Sequence, residues 1–139
     1  MTNIRTYDIA RFLYNKKIPL LPKFFSRLTR IVYSCEIPYT ANIHSSVKFA
    51  HKGLGVVIGH DAIIGKNTKI LQNVTIGGRS GIRANPVIGE NVLVGANSSI
   101  LGKVVIGNNA QIGAHALVLS DVPPNATFVG APAKAIKKK

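Results

Sequence analysis

The chain has 139 residues, of which 46% are hydrophobic and 17% charged, a composition typical of one folded domain. Eighteen Lys and Arg against five Asp and Glu give a formal net charge of +13, which predicts an anionic partner such as nucleic acid, anionic lipid or a phosphorylated small molecule. No run of about 18 apolar residues is present to span a membrane, and the opening stretch MTNIRTYDIA lacks the apolar segment of a signal peptide. We therefore expect a cytoplasmic protein.

Two short helices are predicted in residues 1–36, a basic segment. Apolar residues indicate an earlier helix over about 7–15, and the apolar stripe that contains Phe24 and Ile31 indicates a second helix over 22–34. We expect this segment to cap the open end of the structure that follows. A role at an anionic membrane surface, possible for a basic amphipathic helix, is the alternative.

The rest of the chain, residues 37–139, is dominated by a repeat of six residues. This period fits neither a helix nor a single strand, whereas hexapeptide repeats are typical of a parallel β-helix in which each repeat contributes a short strand and a turn. Three sides would close one coil of about 18 residues. The repeated positions, which we expect to point inward, are Ile58, Ile64, Ile70, Ile76, Ile82, Ile88, Val94, Ile100, Ile106, Ile112 and Val118.

Glycines and breaks in the repeat predict the corners and the irregular parts. A glycine follows seven of these aliphatic residues, and we expect it to form the corner with a positive φ. Phe49 and Ile58 are nine residues apart, which predicts an insertion of about three residues between them. The turn-like stretch 77–87 is expected to leave the coil as a loop. The prolines after Val122 are expected to end the solenoid.

Several motifs together resemble one family. The stretches IHSSVKFAHKGLGVVIG, ILQNVTIGG and DVPPNATFVGAPAK are similar to the hexapeptide-repeat acyltransferases with a left-handed β-helix, in particular the serine acetyltransferase-like branch. The resemblance covers roughly residues 37–136. It implies an all-β, left-handed parallel β-helix with a short N-terminal helical segment, a homotrimer, and acetyl-CoA as co-substrate.

Two positions depart from the serine acetyltransferase pattern. The family has a second active-site His before a Pro in the loop, where this chain has Asn85, and an Asp before the first catalytic His, where this chain has Ala50. The chain looks more like the O-acetyltransferases of capsule or exopolysaccharide synthesis. We therefore expect acetyl transfer to a sugar hydroxyl, with serine O-acetyl transfer as the alternative.

The candidate general base is His51. Acyl transfer to an alcohol needs a group that accepts the hydroxyl proton, and an imidazole suits that task near neutral pH. His51 lies in the break of the repeat, at the place where the resemblance puts the catalytic His, whereas we expect His44, His60 and His115 to be exposed turn residues. Asn85 or backbone N–H groups are candidates to stabilise the oxyanion.

A spacing of 18 residues indicates a candidate binding site for acetyl-CoA. Gly78, Ala96 and Ala114 are small and 18 residues apart, so they are expected to stack at one corner of the coil. The resemblance implies that acetyl-CoA binds along this corner. It also implies a phosphate contact for Lys134, and further cations that could add to it are Arg79, Arg83 and residues 137–139.

Other kinds of site are disfavoured. Histidines are at least seven residues apart and Cys35 is the single cysteine, so we expect no metal site, no intrachain disulfide and no cysteine nucleophile. Basic and aromatic residues do not alternate as in single-strand platforms, so we expect no nucleic-acid partner. A basic membrane-binding protein and a non-catalytic scaffold remain the alternatives from other classes.

Overall fold

The structure, a computed structural model, describes residues 1–82 and 84–137. Two helices come first, α1 (Arg5–Asn15) and α2 (Leu21–Tyr33), which confirms the two helices expected from the sequence. A parallel β-helix with three sheets as its sides follows, as the hexapeptide period predicts.

Each side of the β-helix is a sheet of short strands stacked in parallel, one from each coil, apart from the last strand of the second sheet. The first sheet contains β1 (Asn42–Ile43), β4 (Ile63–Ile64), β7 (Val87–Ile88) and β10 (Val105–Ile106). The second sheet contains β2 (Lys48–Phe49), β5 (Lys69–Ile70), β8 (Leu93–Val94), β11 (Gln111–Ile112), β13 (Thr127–Val129) and β14 (Lys134–Ile136). The third sheet contains β3 (Val57–Ile58), β6 (Thr75–Gly77), β9 (Ser99–Leu101) and β12 (Leu117–Val118).

The repeated aliphatic residues build the core, because each two-residue strand turns one side chain outward and the next inward. Ile64, Ile70, Ile76 and Ile100 are at most 1% exposed, whereas the residues just before them are exposed or half-buried. Ile82 is the exception, since it is 41% exposed and lies in the loop.

The length of a coil varies, and this sets which residues are neighbours. Strand partners are 18 residues apart in the regular coils, for example Ile58 and Ile76. Across the insertion predicted after Phe49 the separation is 21, from Phe49 to Ile70. Across the loop 77–87 it is 24, from Ile76 to Ile100, which confirms that this stretch leaves the coil.

Most corners have an asparagine with positive φ, and the predicted role of the glycines is wrong. Positive φ occurs three residues after an inward aliphatic, as at Asn73 (55°) and Asn97 (60°), and Asn adopts this region more readily than most residues. Gly95 has no positive φ; instead, a Cβ there would lie 2.6 Å from the Ile112 carbonyl oxygen. These glycines are needed because the backbone of the next coil approaches closely.

The solenoid also continues further than predicted. Val122 still bridges Ile106 in parallel, and β13 stacks on β11, so the two prolines do not end the coil. The strand β14 then folds back antiparallel onto β13. This hairpin closes the end of the second sheet.

The helical segment packs through α1 and leaves part of α2 exposed. Ile4, Tyr7 and Ala10 are buried and belong to the hydrophobic core or its edge, and the Tyr7 hydroxyl donates to the Ala41 carbonyl oxygen at 2.8 Å. In contrast, the predicted apolar stripe of α2 is turned outward, with Phe24 57% and Ile31 79% exposed. The residues described include no helix with the length and hydropathy needed to cross a membrane.

Candidate functional site

His51 lies on one of the three edges of the prism, where the second sheet passes into the third. We call this the His51 edge; it consists of the corners 50–56, 71–74, 95–98 and 113–116. The edge between the third and first sheets, which contains the loop 77–87, is called the loop edge.

The turn that carries His51 has an unusual backbone. Ala50–Gly53 form a tight turn in which His51 (φ 49°), Lys52 (φ 55°) and Gly53 (φ 77°) are all left-handed. A left-handed conformation costs a residue with a side chain roughly 1–2 kcal/mol, and such strain is concentrated at functional sites. The result is an exposed imidazole that projects at the N-terminal end of the edge.

The segment before α1 holds this turn from the side. The Asn3 side-chain amide donates from Nδ2 to the Phe49 carbonyl oxygen at 2.6 Å and accepts from the Phe49 N–H at 2.9 Å. These are the backbone groups of β2 that a neighbouring strand would otherwise bind at the end of the second sheet. Gly53 is packed so tightly that a Cβ there would lie 3.3 Å from Ile4 Cδ1. Sequence reasoning missed Asn3, since a lone Asn near the start of a chain gives no local signal.

Cys35 lies beneath the same turn, in an environment that makes its thiol unreactive. Its side chain is 3% exposed, and burial raises the pKa of the Cys35 thiol to about 11. The thiol therefore stays protonated near neutral pH, which does not suit a nucleophile.

Backbone hydrogen bonds continue the His51 edge from coil to coil. The N–H groups of Asn73, Asn97 and His115 donate to the carbonyl oxygens of Leu54, Gln72 and Ala96 at 2.9–3.0 Å. The side chains of two of these residues also bind each other, since Asn73 Nδ2 donates to Asn97 Oδ1 at 3.1 Å. Three coil spacings of about 4.8 Å separate the corner of His51 from that of Ala114, so the edge offers a ridge roughly 14 Å long.

The prediction that Gly78 stacks with Ala96 and Ala114 is wrong. The loop adds six residues to its coil, so the residue in register with Ala96 lies 24 positions earlier and is Gln72. Gly78 lies on the loop edge instead, where the preceding Gly77 pairs with Leu101. Ala96 and Ala114 do share the His51 edge, as predicted.

The C-terminal hairpin places Lys134 near the far end of the His51 edge. The Leu117 N–H donates to the Gly130 carbonyl oxygen at 2.9 Å, and the Ala133 N–H donates to the Leu117 carbonyl oxygen at 2.7 Å. The turn between β13 and β14 is therefore fixed next to the corner that contains Ala114. Lys134 follows this turn and is exposed.

The loop edge holds Asn85 and Arg79. The Asn85 amide donates to the His60 carbonyl oxygen and covers Gly59, while Arg79 is exposed and pairs with Ile82 across a tight turn. His60, like His44 and His115, is exposed, in agreement with the sequence. The further cations expected at Arg83, Lys138 and Lys139 lie outside the described residues.

Within one chain, the two predicted catalytic residues are not brought together, since His51 and Asn85 lie on different edges. An edge of a prism is convex, and neither of the two clefts next to α2 includes His51, although one of them reaches Gly55 and Val56 of the His51 edge. A site at His51 thus needs a second surface. In the described part of the chain, no three His, Cys, Asp or Glu side chains converge as metal ligands do.

Comparison with known proteins gives the same repeat and the same fold. Residues 85–120 match the family "Bacterial transferase hexapeptide (six repeats)". The serine acetyltransferase of Buchnera aphidicola subsp. Schizaphis graminum is 36% identical over 138 residues, which is 97% of this chain and 52% of that protein.

Two solved structures superpose closely on the chain. A serine acetyltransferase in complex with CoA has a TM-score of 0.88 at 32% identity and covers 96% of this chain and 55% of its own. The Neisseria gonorrhoeae serine acetyltransferase in complex with serine has a TM-score of 0.88 at 40% identity, covering 95% and 54%. The chain thus spans about half the length of these relatives. Because coils of opposite hand do not superpose in this way, the likeness includes the left-handed coil.

Proposed function

Because the chain is a left-handed β-helix of hexapeptide repeats related to the serine acetyltransferases, we propose that it transfers an acetyl group from acetyl-CoA to a hydroxyl acceptor. The observation that carries the proposal is the His51 edge. It joins an exposed imidazole on a strained turn to a ridge of backbone groups, with the small side chains of Ala96 and Ala114, that ends beside Lys134. A catalytic base and a seat for a long, extended co-substrate are what this reaction needs.

In the proposed mechanism His51 is the general base. The imidazole accepts the acceptor's hydroxyl proton while the hydroxyl oxygen attacks the thioester carbonyl carbon. The C–S bond then breaks, and the departing CoA thiolate takes up the proton from His51, which returns to its neutral form. Asn3 fixes the backbone that leads into the turn at Phe49, which restricts where the imidazole can lie before the substrates arrive.

The seat for acetyl-CoA is proposed along the His51 edge. Ala96 and Ala114 have side chains too small to cover the backbone, so an extended chain with amide groups can approach it. Lys134 would meet the phosphates at the far end. Arg79 and Gly78 lie on the loop edge, and they would contribute from a neighbouring subunit.

We therefore include a homotrimer in the proposal. The first sheet presents a column of exposed aliphatic side chains, with Ile63 43%, Val87 37% and Val105 49% exposed, stacked strand on strand. We propose that this column packs on the next copy beside that copy's His51 edge, so that the column is buried and the loop edge of one subunit approaches the His51 edge of the next. Asn85 would then approach His51 and serve the oxyanion or the acceptor. A solution mass equal to one chain would contradict this part.

Serine is the first acceptor to test, because the relatives are serine acetyltransferases and one of them is described in complex with serine. A saccharide hydroxyl is the second. It is favoured by Ala50 and Asn85, which put a methyl group and an amide where the serine acetyltransferase pattern has an Asp and a His. Release of CoA thiol in the presence of each acceptor distinguishes the two.

A peripheral contact with an anionic membrane is the last part of the proposal. The outward face of α2, with Phe24 57% and Ile31 79% exposed, lies next to Lys23 and Arg27, and Leu20 just before the helix is 77% exposed. Large apolar side chains beside cations are typical of helices that lie in the membrane interface. Such a contact is compatible with acetyl transfer.

The decisive experiment replaces His51 by Asn, which tolerates the left-handed backbone and lacks the base. Turnover, measured as acceptor-dependent release of CoA thiol, should fall at least about 100-fold, with an unchanged circular dichroism spectrum. His44→Asn, the same substitution at another exposed histidine, should keep full turnover.

Two results would count against the proposal. The first is a His51→Asn protein that retains most of its turnover, which excludes the base assignment. The second is a wild-type protein whose melting temperature does not rise with saturating acetyl-CoA, since a ligand that binds the native state must stabilise it. That result would favour a non-catalytic scaffold.

A further inference from the structure

A cleft of about 290 Å³ lies between α2 and the segment that leads into the first coil. We call it the α2 cleft; its walls include Lys23, Ser26, Arg27 and Arg30 on one side and Tyr39 and His60 on the other. None of the residues on the helix side takes part in the acetyl-transfer site proposed above.

The helix turns a distinct face to this cleft. Lys23, Ser26, Arg27 and Arg30 are spaced i, i+3, i+4 and i+7, so they lie on one side of α2. The buried face, with Thr29, and the exposed apolar face, with Phe24, point in other directions. The cations are therefore gathered towards the cleft and are not spread around the helix.

The charge of the cleft is unbalanced. Arg30 forms an ion pair with Glu36 at 3.6 Å. In the described part of the chain, Lys23 and Arg27 have no acidic partner, although they are like charges one helical turn apart, which destabilises a helix. Two unpaired cations on one face of a concave surface attract an anion with several oxygens.

A buried hydroxyl group in the wall also lacks a partner. Ser26 Oγ is shielded from solvent and forms no hydrogen bond within the described structure. Thr29 on the same helix shows the usual alternative, since its hydroxyl donates to the Phe25 carbonyl oxygen at 2.8 Å. Because Ser26 lines the cleft, a change of its χ1 rotamer would bring this unpaired donor to a ligand there.

The opposite wall is rigid and amphipathic. Arg11 Nη1 donates to the Tyr39 carbonyl oxygen at 2.9 Å, and the Tyr39 ring packs on Tyr14 with 5.0 Å between centroids. The Nδ1 atom of His60 lies 3.0 Å from Thr40 Oγ1, which fixes the imidazole. An aromatic wall opposite cations suits a phosphorylated ligand that also carries a ring.

From these observations we propose that the α2 cleft binds a phosphate or diphosphate group. Lys23 and Arg27 contact the phosphate oxygens, Ser26 donates to one of them, and Tyr39 packs against the group that carries the phosphate. The phosphate belongs either to a soluble molecule such as a nucleotide diphosphate or to a lipid headgroup. Both present the same anion to the cleft.

The test compares two double variants of the full chain that lose the same charge. Lys23→Gln with Arg27→Gln removes the unpaired cations of the cleft, whereas Lys48→Gln with Lys69→Gln removes two exposed cations that are paired neighbours on the second sheet. Calorimetric titration with inorganic pyrophosphate at low salt should show binding at least tenfold weaker in the cleft variant and within twofold of wild type in the control. Ser26→Ala should weaken binding as well.

A second arm identifies the source of the phosphate. Binding of the protein to vesicles of phosphatidylcholine and phosphatidic acid is measured with and without pyrophosphate. If pyrophosphate weakens vesicle binding of the wild-type protein but not of the Lys23→Gln, Arg27→Gln variant, the cleft binds a lipid headgroup. If pyrophosphate has no effect on vesicle binding, the cleft binds a soluble phosphate. Absence of pyrophosphate binding, or equal losses in the two double variants, would overturn the proposal. Because the readout is binding, such a failure leaves the acetyl-transfer proposal untouched.

Discussion

At the scale of single residues, close approach of neighbouring coils decides which amino acids are allowed at the corners. The Gly95 α-carbon faces the backbone of the next coil, so a Cβ there would lie 2.6 Å from both the Ala114 nitrogen and the Ile112 carbonyl oxygen. Gly77 holds the same place after an inward aliphatic, but no atom lies within 4 Å of its added Cβ because the loop opens the corner. The same residue type therefore has two different roles.

Gly95→Ala should lower the free energy of unfolding by about 1–3 kcal/mol, the usual cost of overpacking a close contact. Gly77→Ala is the matched control and should change it by less than about 0.5 kcal/mol or raise it slightly, since alanine reduces the entropy of the unfolded chain. Urea denaturation of both variants at one protein concentration measures the difference. Equal losses in the two variants would show that glycine is required for another reason.

At the scale of elements, the loop 77–87 behaves as an addition to an otherwise regular coil. The strands β6 and β7 on either side keep their parallel neighbours, as the pairs Gly77 with Leu101 and Ile88 with Ile106 show. Removal of residues 79–84 leaves six positions from Ile76 to Ile88, which is the spacing of a regular corner. We therefore expect the loop to be unnecessary for the fold and available for function.

A variant without residues 79–84 should fold, with a melting temperature within about 5 °C of wild type. Far-ultraviolet circular dichroism and scanning calorimetry provide the measurement. Acetyl transfer should fall strongly, because Arg79 is lost and Asn85 is moved. An unfolded or aggregated variant would mean that the loop supports the coils, contrary to the strand register.

At the scale of the whole molecule, the distribution of apolar surface suggests what covers each face. The column with Val87 on the first sheet is flat and aliphatic and suits another copy of the chain. The face of α2 with Phe24 and Ile31 is flanked by cations such as Lys23, and the chain has a net charge of +13. Cations around an apolar face are complementary to an anionic membrane.

Phe24→Gln combined with Ile31→Gln should reduce flotation of the full chain with phosphatidylglycerol vesicles at least tenfold, because each large apolar side chain is worth roughly 1.5–3 kcal/mol when fully buried. Both residues are exposed, so the fold should be retained. Leu93→Gln, at an exposed aliphatic residue of the second sheet, is the control and should float like wild type. Unchanged flotation of the double variant would exclude α2 as the contact.

The sequence by itself determined the β-helix, the inward positions other than Ile82 and the edge that carries His51, because these follow from a six-residue period that is repeated in neighbouring coils. The resemblance added the hand of the coil and the chemistry. Only the tertiary structure decided that Gln72, and not Gly78, lies in register with Ala96. The register depends on whether the residues of the loop 77–87 form part of the regular coil or project from it.

The tertiary structure also decided which face of each N-terminal helix is buried. The stripe with Phe24 and Ile31 has the pattern of a core-facing helix, yet Tyr7 and Ile4 fill the available space at the first coil, and the stripe remains outside. Asn3 fixes the turn of His51 by binding the backbone of Phe49, which is 46 residues away from Asn3 in the chain. Contacts over such distances leave no periodic signal, because they depend on how separately folded elements meet.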